Sequence, residues 1–243
     1  MNEKDIQLAQ TISSVIETDA GGLVYLVNTK HTNLVRVNLV LLKAFLEEKK
    51  QRGLLITIDR PHQYVSHLLQ LHGVDQTNLT FVDAISSHAA DTKAGAVAPE
   101  FQKGPFHIET LPDFFLKQCP DPSSLQIDMS KVDFVIIDNV ATLLMYNTME
   151  SIKRFFQKYV EVLKSVRSTG ILTALMMDRE LHPDLFKFIV ELSKKTIEIG
   201  PDMVVTKVSV LGEPVQLPAQ PTHQTPLEIG KMDDSILKSK DVM

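Results

Sequence analysis

"YLVNTKHTNLVRVNLVLLKAF", residues 25–45, joins a short apolar run, a polar turn and a long periodic helix. The run LVYLV (23–27) is continuously apolar and rich in β-formers, which predicts a strand covered on both faces. Thr32 or Asn33 is placed to cap the following helix, and Gly53 to stop it. The polar turn between them, NTKHTN, contains no glycine, and neither does any position from 23 to 52.

The same strand-then-helix unit recurs outward from this stretch. LLITID (54–59) precedes a helix that opens at Pro61 and stops at Gly73. LTFVD (79–83) reads as a third strand. VDFVIID (132–138) is the strongest strand signal and leads to the amphipathic run NTMESIKRFFQKYVEVLKSV. ILTALMM (171–177) leads to HPDLFKFIVELSKK. TIEIG and MVVTKVSVLG flank a Gly-Pro-Asp turn and predict an antiparallel hairpin. Residues 3–17 carry helical spacing at Leu8, Ile12, Val15 and Ile16, broken at Gly21 and Gly22. AADTKAGAVAPEFQKG (89–104) reads as a mobile loop, LPDFFLKQ as a short helix and CPDPSS as a breaker-rich loop.

Buried strands alternating with helices predict an α/β protein. Its expected form is a three-layer, mostly parallel sheet with helices on both faces and a C-terminal antiparallel hairpin. The expected organisation is an N-terminal helix packed on the core (1–20), a core domain (21–212) and a proline-containing extended or disordered tail (213–243). Strands 23–27 and 132–138 are expected side by side at the sheet centre.

Composition bounds the function. A 243-residue chain with 44% apolar and 23% charged residues is ordinary for a globular domain with a full core. A net charge of −5 argues against nucleic acid as a partner. The acidic start MNEKD is no signal peptide, and no apolar run approaches the roughly 20 residues of a membrane span. One cysteine, Cys119, excludes an internal disulfide and suits a reducing cytoplasm.

In a sheet of this kind, ligands bind at the carboxyl ends of the strands. The sequence puts Asn28, Thr29, Lys30 and His31 after the first strand, and Asp59, Arg60 and His62 after the second. Asp83, Ser86, Ser87 and His88 follow the third. Asp138 and Asn139 follow VDFVIID, and Asp178, Arg179 and Glu180 follow ILTALMM. An apolar strand ending in an acid, as at Asp138, is the pattern that holds Mg²⁺ beside a nucleotide, and also the pattern of a helix cap. His62, His67 and His72 are five apart and do not share a helix face, so they predict no metal site.

LLITIDRPHQYVSHLLQLHGVD, VDFVIIDNVATLLMY and TGILTALMMDRE resemble the core segments of RecA-like ATPases, most closely those of the KaiC type, over about residues 20–212. The resemblance implies a nucleotide site on the turn and helix after the first strand. There the family carries GxxxxGK[ST], whose glycines let backbone N–H groups wrap phosphate. The corresponding stretch here is TNLVRVNL (32–39). Asn38 stands for the lysine and Leu39 for the Mg²⁺-binding hydroxyl residue, while Thr32 and Val37 replace the glycines. Asp59 stands where the family has a catalytic glutamate, with Arg60 next to it as an ion-pair partner.

The resemblance therefore implies a pseudo-ATPase: a cytoplasmic, non-hydrolysing RecA-like domain with no cofactor, regulatory or scaffolding in role. It would act through a protein partner or self-association as an oligomer, as in signal transduction. It is similar in kind to the Elongator subunits that keep the fold without the ATPase motifs. The alternative is an atypical nucleotide- or phosphate-binding protein, or weak ATPase, taking ATP and Mg²⁺ on a basic rim. Its site would comprise Lys30, His31, Thr32, Asn38, Asp59, Arg60, Asp138 and Asn139, helped by Arg36 and His62.

Overall fold

A computed structural model describes residues 1–16, 24–84, 108–109, 111–112, 127–166, 171–210 and 213–215. The expected loop 89–104, most of LPDFFLKQ, all of CPDPSS with Cys119, and Ser86, Ser87 and His88 lie outside these residues, as do the glycines at 21 and 22 and residues 216–243.

Eight strands form one sheet: β1 (Val24–Thr29), β2 (Gly53–Thr57), β3 (Leu79–Asp83), β4 (Phe134–Ile137), β5 (Leu172–Met177), β6 (Lys195–Ile199), β7 (Val205–Val210) and β8 (Glu213–Val215). Their order is β3-β2-β4-β5-β1-β6-β7-β8. The first six pair parallel, and β7 and β8 pair antiparallel at one edge. The α/β class, the parallel core and the closing hairpin follow the expectation.

Strand adjacency does not. β1 and β4 are both interior and run parallel, but β5 lies between them and pairs with each. Continuous apolar runs announce burial on two faces. They carry no label that ranks equally apolar strands, so order is set by the crossovers.

Alternation along each strand divides the core into two layers. Tyr25 and Val27 of β1, Phe134 and Ile136 of β4, and Ala174 and Met176 of β5 face helices α1 (Glu3–Val15), α2 (Leu34–Lys43) and α3 (His62–Leu71). Leu26, Val135, Ile137, Leu175 and Met177 face α4 (Met149–Val166) and α5 (Pro183–Leu192). On α4, Ile152, Phe155, Phe156, Tyr159 and Leu163 recur at helical spacing and are buried. α1 begins with a capping box: Asn2 and Asp5 exchange side chain–backbone bonds. Asp5 also accepts from Arg36 Nε at 2.7 Å, pinning α1 to α2.

Two turn expectations are corrected. Gly53 does not stop α2. The helix runs into a π-turn at Ala44–Glu48, and Lys50 takes the left-handed conformation with φ of 53°. Gly53 opens β2 under the Phe134 ring, where an added Cβ would lie 1.9 Å from Cζ. The glycine is there for close approach, not for turn geometry. Neither Thr32 nor Asn33 caps α2 through its side chain. A 3₁₀ turn at His31–Asn33 winds directly into the helix. The Gly-Pro-Asp tip of the β6–β7 hairpin is as expected, closed by Gly200 N–H to Val204 O at 2.9 Å, with Met203 at φ 62°. The first three residues of the expected tail form β8.

Candidate functional site

Two groups of polar residues form at the carboxyl ends of the strands. The first lies between β2, β4 and α2. Asp138, immediately after β4, is 2% exposed. Its side chain turns back toward β2, where Oδ1 accepts from Ile58 N–H at 2.9 Å and Oδ2 from Asp59 N–H at 3.4 Å. Asn38, buried on α2, donates from Nδ2 to the Asp138 backbone carbonyl at 3.2 Å. Burial pushes the Asp138 carboxyl up to about 7, reinforced by the negative charge of Asp59 and opposed by the two N–H donors and by Arg60.

Asp59 accepts from Thr142 Oγ1 at 3.1 Å and pairs with Arg60 at 2.5 Å. Asn139 is buried and extended, and its Oδ1 has no hydrogen-bond donor, as is also true of Asn38 Oδ1 and Thr57 Oγ1. Asp138 does not cap the 3₁₀ turn at Val140–Met145. Asn139 holds the cap position, without a side-chain bond.

The second group lines a cleft of about 210 Å³ over the ends of β1, β5 and β6. Asp178 spans it. Oδ2 accepts from the His31 N–H at 2.8 Å and Oδ1 from the Glu180 N–H at 3.0 Å. The N–H of Arg179 donates to Asn28 Oδ1 at 3.0 Å. Lys30 pairs with Glu180, and Arg179 with Glu198 at 2.9 Å. The turn after β1 therefore has a carboxylate of its own chain on the His31 N–H.

The structure splits the sequence-predicted set. Asn38, Asp59, Arg60, Asp138 and Asn139 gather in the first group. Lys30 and His31 belong with Asp178 in the second, and Thr32 lies exposed on the 3₁₀ turn between them. Of the five basic residues placed near the ends of the first two strands, four lie on carboxylates. These are Lys30 on Glu180, Arg36 on Asp5, Arg60 on Asp59, and His62 on Asp83 at 2.7 Å. Of the other two histidines in that run, His67 is exposed and His72 Nδ1 lies 3.1 Å from the N-terminal amine.

Glu198 on β6 and Thr206 on β7 line the second group but were not among the expected residues. The signal for them was present: Gly-Pro-Asp puts the hairpin tip at the carboxyl end of β6. Among the described residues, no group of three or more His, Cys, Asp or Glu side chains is arranged to hold a metal, and no helix is long and apolar enough to cross a membrane.

Strand order, parallel core and helices on both faces define a RecA-like α/β domain. Among solved structures, the chain is similar to a KaiC-like protein of the hyperthermophilic archaeon Pyrococcus horikoshii, with a TM-score of 0.50 and 11% identity over 74% of this chain and 73% of that one. At that identity the likeness is one of fold. No protein-family model matches the chain, and no curated protein sequence matches it.

Proposed function

We propose that this chain is a RecA-like domain that does not hydrolyse nucleotide and works as a regulatory or scaffolding protein through contacts with other protein chains, its own copies included. One observation carries this reading. Three groups at the expected nucleotide site are engaged with the chain itself. Asn38, in the place of a phosphate-binding lysine, is buried against the Asp138 carbonyl. Asp138 spends both carboxylate oxygens on backbone N–H groups. The His31 N–H, at the start of the turn, is bonded to Asp178. The turn has no glycine, and none of its residues takes the positive φ that a phosphate wrap uses. Losing that electrostatic stabilisation removes several kcal/mol from catalysis, each ~1.4 being tenfold in rate.

Steady-state ATP turnover with Mg²⁺ is the test. The expected result is background turnover in wild type and Asp138→Asn alike. Saturable turnover that disappears in Asp138→Asn overturns the proposal.

A second reading, a small phosphorylated ligand on the basic rim, is favoured by the cleft beside Lys30 and Arg179, whose side chains are each about half exposed (46% and 48%). The ligand would displace Glu180 and Glu198 from the two cations. Calorimetry with ADP and with pyrophosphate, with and without Mg²⁺, decides it. Binding that is lost in Lys30→Ala supports the second reading, and no heat with either probe rules it out.

A further inference from the structure

The cleft over the ends of β1, β5 and β6 is lined by both signs of charge. Lys30 is on Glu180 and Arg179 on Glu198, and all four side chains reach solvent. Asp178 is 6% exposed, and its two oxygens accept from the N–H groups of His31 and Glu180. Three carboxylates against two cations leave the lining one negative charge in excess. Thr29, at the end of β1, lines the same cleft. It is 2% exposed, and its Oγ1 has no hydrogen-bond partner.

This arrangement selects among ligands by charge. An anion on Lys30 and Arg179 draws them from Glu180 and Glu198 and leaves those two carboxylates without a partner. A cation on the carboxylates leaves Lys30 and Arg179 in the same state. A ligand that carries both charges leaves no group unpaired: its anion takes the two cations and its cation the two carboxylates. Exchanging one exposed ion pair for another changes little by itself. A phosphate, with about two negative charges, meets the excess negative charge of the lining instead. Size and spacing narrow the class further. At about 210 Å³ the cleft is smaller than pockets for drug-sized molecules, which begin near 300 Å³. Each cation touches its carboxylate, so the two ligand charges must lie close together. In an α-amino acid one carbon carries both. Its carboxylate matches the planar fork of an arginine. It also offers an acceptor to the Thr29 hydroxyl, which is costly to bury without one.

We infer that this cleft binds a free α-amino acid, with the carboxylate on Lys30 and Arg179 and the ammonium on Glu180 and Glu198. Ile199 also lines the cleft and gives the ligand side chain an apolar wall. The inference takes the cleft of the second reading above and assigns it a different ligand, so it stands apart from the question of ATP turnover.

Thermal melts of the full chain with each standard L-amino acid at about 10 mM are the first test, because a ligand that binds only the folded form raises Tm. At least one is expected to raise it, and calorimetry with that one to give a Kd between about 10 μM and about 1 mM. Its N-acetyl derivative lacks the ammonium and its carboxamide lacks the carboxylate. Each is expected to bind about tenfold more weakly or worse. Arg179→Ala and Glu198→Gln are each expected to weaken binding of the amino acid about tenfold or more, with unchanged circular-dichroism spectra because both side chains reach solvent. No thermal shift with any amino acid overturns the inference, and pyrophosphate binding that Lys30→Ala abolishes then assigns the cleft to the second reading. An amino acid bound no better than its N-acetyl or carboxamide form overturns the recognition of both charges and the inference with it. Binding that ignores both variants places the ligand elsewhere and overturns the cleft. In every case the ATP assay continues to judge the proposed function.

Discussion

Asp138→Asn separates two meanings of the same residue. An acid at the end of an apolar strand would serve a bound cation by being charged. In this structure the carboxyl is buried, and burial favours its neutral form. Its ordinary value of 3.8 is raised to about 7 in the folded protein. The sign follows from linkage. Below about 3.8 the group is protonated folded or unfolded, and its full stabilising contribution is present. Between about 3.8 and about 7 the unfolded chain gives up the proton first, so stability falls as pH rises. Above about 7 the loss is complete. At about 1.4 kcal/mol per pH unit, the total is on the order of 4 kcal/mol.

Asparagine is close to the same shape and never ionises. Its Oδ1 can still accept from Ile58 N–H. Urea unfolding of both proteins from pH 4 to pH 8 is the assay. The two should be nearly equal in stability at pH 4. Asp138→Asn should become the more stable by several kcal/mol at pH 8, with the difference growing between those limits and then levelling. Comparing the variants cancels other titrating groups. Parallel pH profiles, or a variant less stable than wild type at pH 8, would refute the reasoning. Either result would mean that the charged carboxylate, held by Ile58 and Asp59 N–H, is the form the fold requires.

Three further outcomes are expected. Gly53→Ala should destabilise by roughly 1–3 kcal/mol, as overpacking does, because its Cβ would enter the Phe134 ring; a thermal melt unchanged from wild type contradicts this. Asp83→Ala removes the acceptor of both the His62 N–H and its Nδ1 inside the protein, and should cost about 3 kcal/mol in chemical denaturation. Asp178→Ala frees the N–H groups of His31 and Glu180. Their amide hydrogen exchange should quicken while that of the β1 core stays slow, and unchanged protection at both sites would show that the bridge is not what holds the turn.

The period of the hydrophobic pattern makes most of the fold legible in the sequence. LVYLV, LLITID, VDFVIID and ILTALMM each became a strand because two-sided burial leaves no exposed positions, and the polar residues of these runs that fall within the strands, Thr57 and Thr173, are themselves buried. The amphipathic run at 149–166 became α4 because its aromatic residues recur every three or four positions. What the sequence did not encode locally was lost. β5 between β1 and β4 is a fact of crossover, and no residue of either strand announces it. Gly53 was legible as a glycine but not as the floor beneath Phe134, a residue 81 positions away.

The candidate site divides on the same line. Residue types at strand ends were legible, because strand ends are. Their partners were not. Arg60 with Asp59 could be read from adjacency, and the pair forms. Asp178 on the His31 N–H could not, since 147 residues separate them. The difference matters for function. A sequence displays charges as though each were free to meet a ligand, and the rim Lys30, His31, Arg36, Arg60 and His62 looked like a place for phosphate. Four of the five lie on a carboxylate instead, all but His31. An incoming phosphate would have to displace an existing partner at each one, so its gain is only the difference between two ion pairs. For the exposed Lys30–Glu180 pair that difference is within about 1 kcal/mol, so a ligand at this cleft must draw its affinity from further contacts to offset the cost of its own ordering. Four of the five cations that the sequence places on this rim are therefore held by carboxylates of the chain itself, and a ligand there competes with partners already in place.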